Sequence, residues 1–299
     1  MSVPAAYFAV VLIWSTTPLG IVWSSESVNP TMAVLLRMVI AAVLGLSVIL
    51  ITRIKLPWHR KALQVYSYSA IGIFFGMLFS YLAAGYISSG MISLIFGLAP
   101  IFSGLLSQKI LDEAKLTRLR KIAMTIALIG LGIVCAGNMA SINQSPLGII
   151  YILIAVFFFS LSGVLVKSVK LVINPMATTV GSLLVSLPFF FLVWLLFDGT
   201  LPIEQWQSRS ILAIIYLGVV GSFIGFVAYF YVLQRLKAST VALITMITPV
   251  IAMSLGVFLN NETVTLNLII GAICVLTGLG LYQASARFIG DKSVKFTQE

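Results

Sequence analysis

Acidic residues are scarce in this chain, and none falls inside an apolar run. Among 299 residues eight are Asp or Glu and one is His. The acids are Glu26, Asp112, Glu113, Asp198, Glu204, Glu262, Asp291 and Glu299, all at the ends of apolar runs or between them. Proton-for-cation exchange in a membrane ordinarily uses a buried carboxylate, so a cationic-drug antiporter is disfavoured. The single His59 sits in a basic connection, which leaves no Ser/His or Cys/His pair inside the apolar runs. Cys135 and Cys274 lie within such runs, without disulfide or metal spacing, and read as packing residues. The Gly163–Ser168 stretch is one residue short of a phosphate-binding loop, so direct use of ATP is disfavoured. Catalytic residues, cofactors and metals are therefore assigned to none of these positions.

What is abundant is apolar surface. Hydrophobic residues make up 60% of the chain and charged residues 9%, with a mean hydropathy of +1.12. Soluble domains are about 25% charged, so this is an integral membrane protein, all-α. The apolar runs predict ten transmembrane helices at 3–23, 30–52, 63–84, 88–109, 119–137, 147–167, 175–197, 210–233, 237–259 and 265–286. The first run lacks a basic leader and a small-x-small cleavage pattern, and reads as a spanning helix rather than a cleaved signal.

The net charge of +10 does not point to nucleic acid, because the basic residues sit in short connections. Sixteen of the 18 Lys and Arg fall in alternate connections and the tail, Arg209 alone falls on the other side, and Arg37 lies inside the second helix. The positive-inside rule then places both termini in the cytoplasm of a multi-pass cell-membrane protein.

The chain repeats itself. Ser89–Glu113 and Ala238–Glu262 superpose at a spacing of 149, aligning Pro100 with Pro249, Glu113 with Glu262 and Leu106 with Leu255. Gly72, Phe74 and Gly76 align with Gly221, Phe223 and Gly225 at the same spacing, and Asn29-Pro30 aligns with Asn174-Pro175 at 145. A repeat of five helices, an odd number, enters the membrane from opposite sides in its two copies. The expected organisation is a first five-helix repeat over 1–145, a second, inverted five-helix repeat over 146–287 and a cytoplasmic tail, expected to be disordered, over 288–299.

These features resemble the drug/metabolite transporter superfamily, and its EamA-type branch most closely. The resemblance rests on five plus five helices, a small-residue fourth helix running through Pro100 to Glu113, its echo at Pro249 and Glu262, and Leu36-Arg37 in the second helix. It implies a ten-helix carrier, commonly an exporter of amino acids or related metabolites, and leaves the substrate open. Ser182 stands where the first half has Arg37, so the halves are not chemically equivalent.

Candidate site residues follow from chemistry that is costly in lipid. Pro100 and Pro249 bend their helices, as gating hinges or as static kinks. Arg37 costs at least about 2–3 kcal/mol unless paired or hydrated. It binds a substrate carboxylate or phosphate, or a carbonyl in the outer gate, or it snorkels to the outer headgroups. Ser15, Thr17, Ser160, Ser162, Thr245 and Thr248 either contact substrate or join helices. Trp14, Phe79, Tyr81, Phe96 and Tyr229 line an aromatic cavity or belong to an interfacial belt. Glu113 and Glu262 read as caps for the start of the next helix. Gly130, Gly132, Gly278 and Gly280 read as close packing of the fifth and tenth helices.

The reading is a secondary transporter exporting small metabolites by alternating access, as a monomer or weak dimer in the lipid bilayer. The alternatives are an anionic sugar-phosphate or nucleotide-sugar carrier and, more remotely, a lipid scramblase, a channel or a membrane-embedded enzyme.

Overall fold

A computed structural model describes residues 2–113, 117–139, 146–236, 241 and 244–295, and the described residues contain helices and no strand. Helices α1 (Val3–Ser24), α2 (Pro30–Thr52), α3 (Arg60–Ala84), α4 (Ser89–Ile110), α6 (Pro146–Ser168), α7 (Pro175–Phe197) and α8 (Ser208–Arg235) are each long and apolar enough to cross a membrane. Between and after them run α5 (Arg118–Met139), α9 (Ile244–Asn260) and α10 (Leu266–Lys295). The expected start of the ninth span, at 237–240, lies outside the described residues, as does Cys135's side chain. The tail expected to be disordered instead continues α10 as helix to Lys295.

Local sequence sets the helix ends. Asn29 and Asn174 each accept an N–H two residues on, from Thr31 at 3.0 Å and Met176 at 2.9 Å. Pro30 and Pro175 follow as first helical residues, where no N–H is needed. At the far ends of α4 and α9, Asp112 and Asn261 adopt positive φ of 52° and 50°. The next residues close matching turns, Glu113 N–H to Ser107 O at 3.3 Å and Glu262 N–H to Gly256 O at 3.1 Å. The sequence repeat is thus a repeat of local structure too.

Packing joins helices of the two halves. Helix α1 packs on α8, α9 and α4, while α6 packs on α3 and α4; α2 and α7 pack on each other and on α8 and α3 respectively. Helices α4 and α9 pack together, and α5 packs extensively on α10. Helix association in lipid rests on close van der Waals contact, and glycine supplies it at the last seam. A Cβ on Gly130 would come within 2.7 Å of Gly271 O and Val275 N, and one on Gly278 within 2.6 Å of Ala123 O and Ala127 N. Gly132 and Gly280, expected to share this role, have nothing within 4 Å of a built Cβ. Successive helical residues turn by about 100°, so residues two apart cannot face one partner.

Candidate functional site

Arg37 lies seven residues into α2 and is 1% exposed, so snorkelling is excluded by the structure. Its side chain turns inward to α8, where Nε donates to Ser222 Oγ at 2.7 Å. The guanidinium carbon lies 5.9 Å from the centre of the Tyr81 ring, within cation–π range. Nη1 is buried and has no hydrogen-bond partner. The one ion pair among the described residues, Arg209 with Glu26 at 3.4 Å, lies elsewhere.

The meeting of α2 and α8 depends on an irregularity. Residues Leu217–Ile224 of α8 form a π-helical segment, a widened turn often found where a helix serves function. Gly218 and Gly221 face Arg37, and Cβ atoms there would lie 3.2 Å from the Arg37 carbonyl oxygen and from Nη2 respectively. The corresponding segment of α3 is regular α-helix, and Ser182, in the place of Arg37, donates to Thr178 O at 2.6 Å. The two halves differ at this contact.

Arg37 is one wall of a central cavity. Around it stand Trp14, Thr17, Pro18 and Ile21 of α1, Met77 and Ser80 of α3, Ile92, Ser93 and Phe96 of α4, Phe159 of α6, Phe226 of α8, and Thr245 and Thr248 of α9. The cavity offers about 60 Å³ to water, room for roughly four to six molecules at ~10–15 Å³ each. The described arrangement therefore holds a small central cavity with a largely apolar lining. Trp14, Phe159 and Tyr229 form a triangle with ring centres 5.1–5.6 Å apart. Across it lies a second void of about 40 Å³, lined in part by Ser103, Ser160 and Tyr229. Burying three rings in one place makes a plug with few polar groups to satisfy.

Six expected residues, Trp14, Thr17, Arg37, Phe96, Thr245 and Thr248, meet at the central cavity. Ser160 and Tyr229 line the second void, and Ser160 also donates to Ala99 O at 3.2 Å. Ser162 lies with Tyr229 in a smaller gap. Ser15 lines none of these cavities and donates to Val11 O at 2.7 Å, the back-bond common for serine in membrane helices. Phe79 is outside them and packs with Phe75 and Tyr151. Tyr81 stands behind Arg37, fully buried. The two prolines also differ. The helical ladder of α4 fails at Gly97 and Leu98, just before Pro100, whereas α9 runs unbroken through Pro249. Phe159, Ser93, Phe226 and Ser222 were not anticipated. Phe159 directly precedes Ser160 on α6, and Ser222 lies inside the repeated Gly-x-Phe-x-Gly element, but neither position carries a side chain that is costly in lipid.

At one end of the bundle Glu262 acts otherwise than expected. It bonds not to α10, the next helix, but to the start of α4 in the other half. Its carboxylate accepts from Ser89 N–H at 3.0 Å and Gly90 N–H at 3.3 Å. Asn260 donates to the same carboxylate at 3.2 Å and accepts from Trp23 Nε1 at 2.8 Å. An anion on a helix N-terminus is well placed, and here it staples the end of α9 to the start of α4. The residues that Glu113 would meet by the repeat, at 237–240, lie outside the described residues. Removing an acceptor from two N–H groups costs about 1–3 kcal/mol. Glu262→Ala is expected to raise, by about tenfold, the rate at which a cysteine at Ser93 reacts with a soluble maleimide supplied from the Glu26 side. An unchanged rate contradicts the staple.

The EamA-like transporter family matches this chain twice, over residues 3–136 and 146–282. The uncharacterized transporter YoaV of Bacillus subtilis is 24% identical, covering 91% of this chain and 93% of its own. An uncharacterized transporter of Archaeoglobus fulgidus is 27% identical, covering 90% and 94%. The uncharacterized inner membrane transporter YedA of Escherichia coli is 25% identical, covering 94% and 92%. A protein of known crystal structure superposes with a TM-score of 0.68 at 19% identity, over 96% of this chain and 99% of that one. That last likeness concerns the fold alone.

Proposed function

This chain belongs to the EamA-like transporter family, and on that premise we propose that it is a secondary carrier exporting amino acids or closely related metabolites by alternating access. Ten helices in two inverted repeats surround the central cavity, with both termini cytoplasmic and the Glu26 end outside. The packing of α1 on α8 and α9, mirrored by that of α6 on α3 and α4, and the matched ends of α4 and α9 support the inversion. The charge asymmetry of the connections supports the orientation.

The observation that carries the substrate reading is Arg37. A buried guanidinium that borders the central cavity and keeps an unpartnered Nη1 favours an anionic ligand group, because a charge removed from water is costly until paired. A carboxylate pairs with Nη1 from the cavity while Nε stays on Ser222. The remaining lining, including Ile21, Met77, Ile92 and Phe226, suits an apolar body.

A sugar-phosphate carrier needs more than one cation. Arg37 is the one cationic side chain of the central cavity, and Lys167 instead donates to Leu236 O at 3.0 Å at the far end of α6. The test is counterflow in proteoliposomes preloaded with leucine. The reading expects saturable uptake of labelled leucine. Absence of saturable uptake overturns it.

A further inference from the structure

The central cavity holds a fixed cation and no fixed acid among the described residues, and Phe96, which lines it, stands at a break in the hydrogen-bond ladder of α4. In α4 the residue four positions after Phe96 is Pro100, which has no N–H to give the Phe96 carbonyl. Ile101 would ordinarily serve Gly97, but its N–H goes to Leu98 O at 2.9 Å, and Phe102 N–H goes there as well at 3.3 Å. Leu98 N–H turns back to Ile95 O at 3.0 Å. The carbonyls of Phe96 and Gly97 thus drop out of the ladder beside the cavity that Phe96 lines. Backbone carbonyls that leave a helix inside a membrane require donors or positive charge.

We propose that the broken turn of α4 receives the ammonium group of the substrate, on the carbonyls of Phe96 and Gly97, while Arg37 receives its carboxylate. This rests on the carrier reading above and makes the site selective for zwitterions. Neutral carbonyls accept an ammonium without the full charge of an acid, so Arg37 still repels ligands that are cationic only. A ligand that is anionic only satisfies Arg37 but leaves the broken turn without donors. Sites built to hydrogen-bond a group reject the analogue that lacks it.

The test is competition against labelled leucine in counterflow, using unlabelled leucine, its deaminated analogue 4-methylpentanoate, and N,N,N-trimethylleucine, which keeps the charge and loses every N–H. Unlabelled leucine is expected to compete at least about tenfold better than either analogue, the worth of one charge-assisted hydrogen bond. In Pro100→Ala the restored N–H serves the Phe96 carbonyl, and the preference for leucine over 4-methylpentanoate is expected to fall to about threefold or less. The comparison of ligands on the unaltered protein stands even if that variant does not fold. Equal competition by all three ligands, with leucine counterflow intact, overturns the ammonium site and leaves the carrier reading standing. Absence of leucine counterflow overturns both.

Discussion

Arg37→Gln is expected to abolish leucine counterflow and at the same time to raise the melting temperature of the ligand-free protein. Both effects come from one cause. The buried guanidinium keeps Nη1 without a partner, so the empty protein carries an uncompensated charge in a low-dielectric place. Glutamine keeps a donor for Ser222, now 2.7 Å from Nε, and removes the charge. Removing one partner of a buried ion pair costs about 3–5 kcal/mol, so substrate binding should fall by a factor on the order of 10² or more. A purely structural arginine gives the opposite stability result, because its loss leaves Ser222 and the Tyr81 face without their cation. Transport assays and thermal melts on the same preparation separate the two.

The second large effect lies in the α5–α10 seam, away from the cavity. Gly130→Val or Gly278→Val puts atoms where the facing backbone already stands, 2.6–2.7 Å from a Cβ. Backbone cannot rotate aside as a side chain can, so the helices must part. Overpacking costs about 1–3 kcal/mol and sometimes more, and here the upper end or beyond is expected, seen as lost folded yield and a lowered melting temperature. Gly132→Val and Gly280→Val are the controls. With nothing within 4 Å of a Cβ there, they should stay within about 0.5 kcal/mol. If all four variants behave alike, the seam is not held as described.

The helical segments were legible because their signals are long and redundant. Span length, basic residues in alternate connections and paired Asn-Pro starts all bear on the same helices. The cavity was legible only where a residue type is costly in lipid. Arg37 stood out for that reason, yet counting about 1.5 Å per residue from Pro30 could not decide between inward and headgroup-bound. Burial at 1% exposure decides it. Ser222 reaches Arg37 through a π-helical segment, which has no residue signature, so the partner was missed. Phe159 and Ser93 are ordinary membrane-helix residues until tertiary packing turns them towards one point. Glu262 was taken as a local cap because local contacts are what a sequence displays. Its partners Ser89 and Gly90 lie in the other half. The prolines align perfectly, but only α4 breaks. A proline forbids one hydrogen bond, and the surroundings decide whether the neighbouring bonds fail too.

The most direct measurement of the carrier reading is access to the cavity from both faces of the membrane. With Cys135 and Cys274 replaced by serine, a single cysteine is placed at Ser93, on the cavity wall, and treated with a membrane-impermeant maleimide. Oriented vesicles of each sense present one face at a time, and a cysteine at Phe189, in the interior of α7 and 52% exposed, serves as control. The account predicts labelling at Ser93 from either face, slowed by leucine, with the Phe189 position unreactive from both. Labelling from one face alone, whether leucine is present or absent, would contradict it.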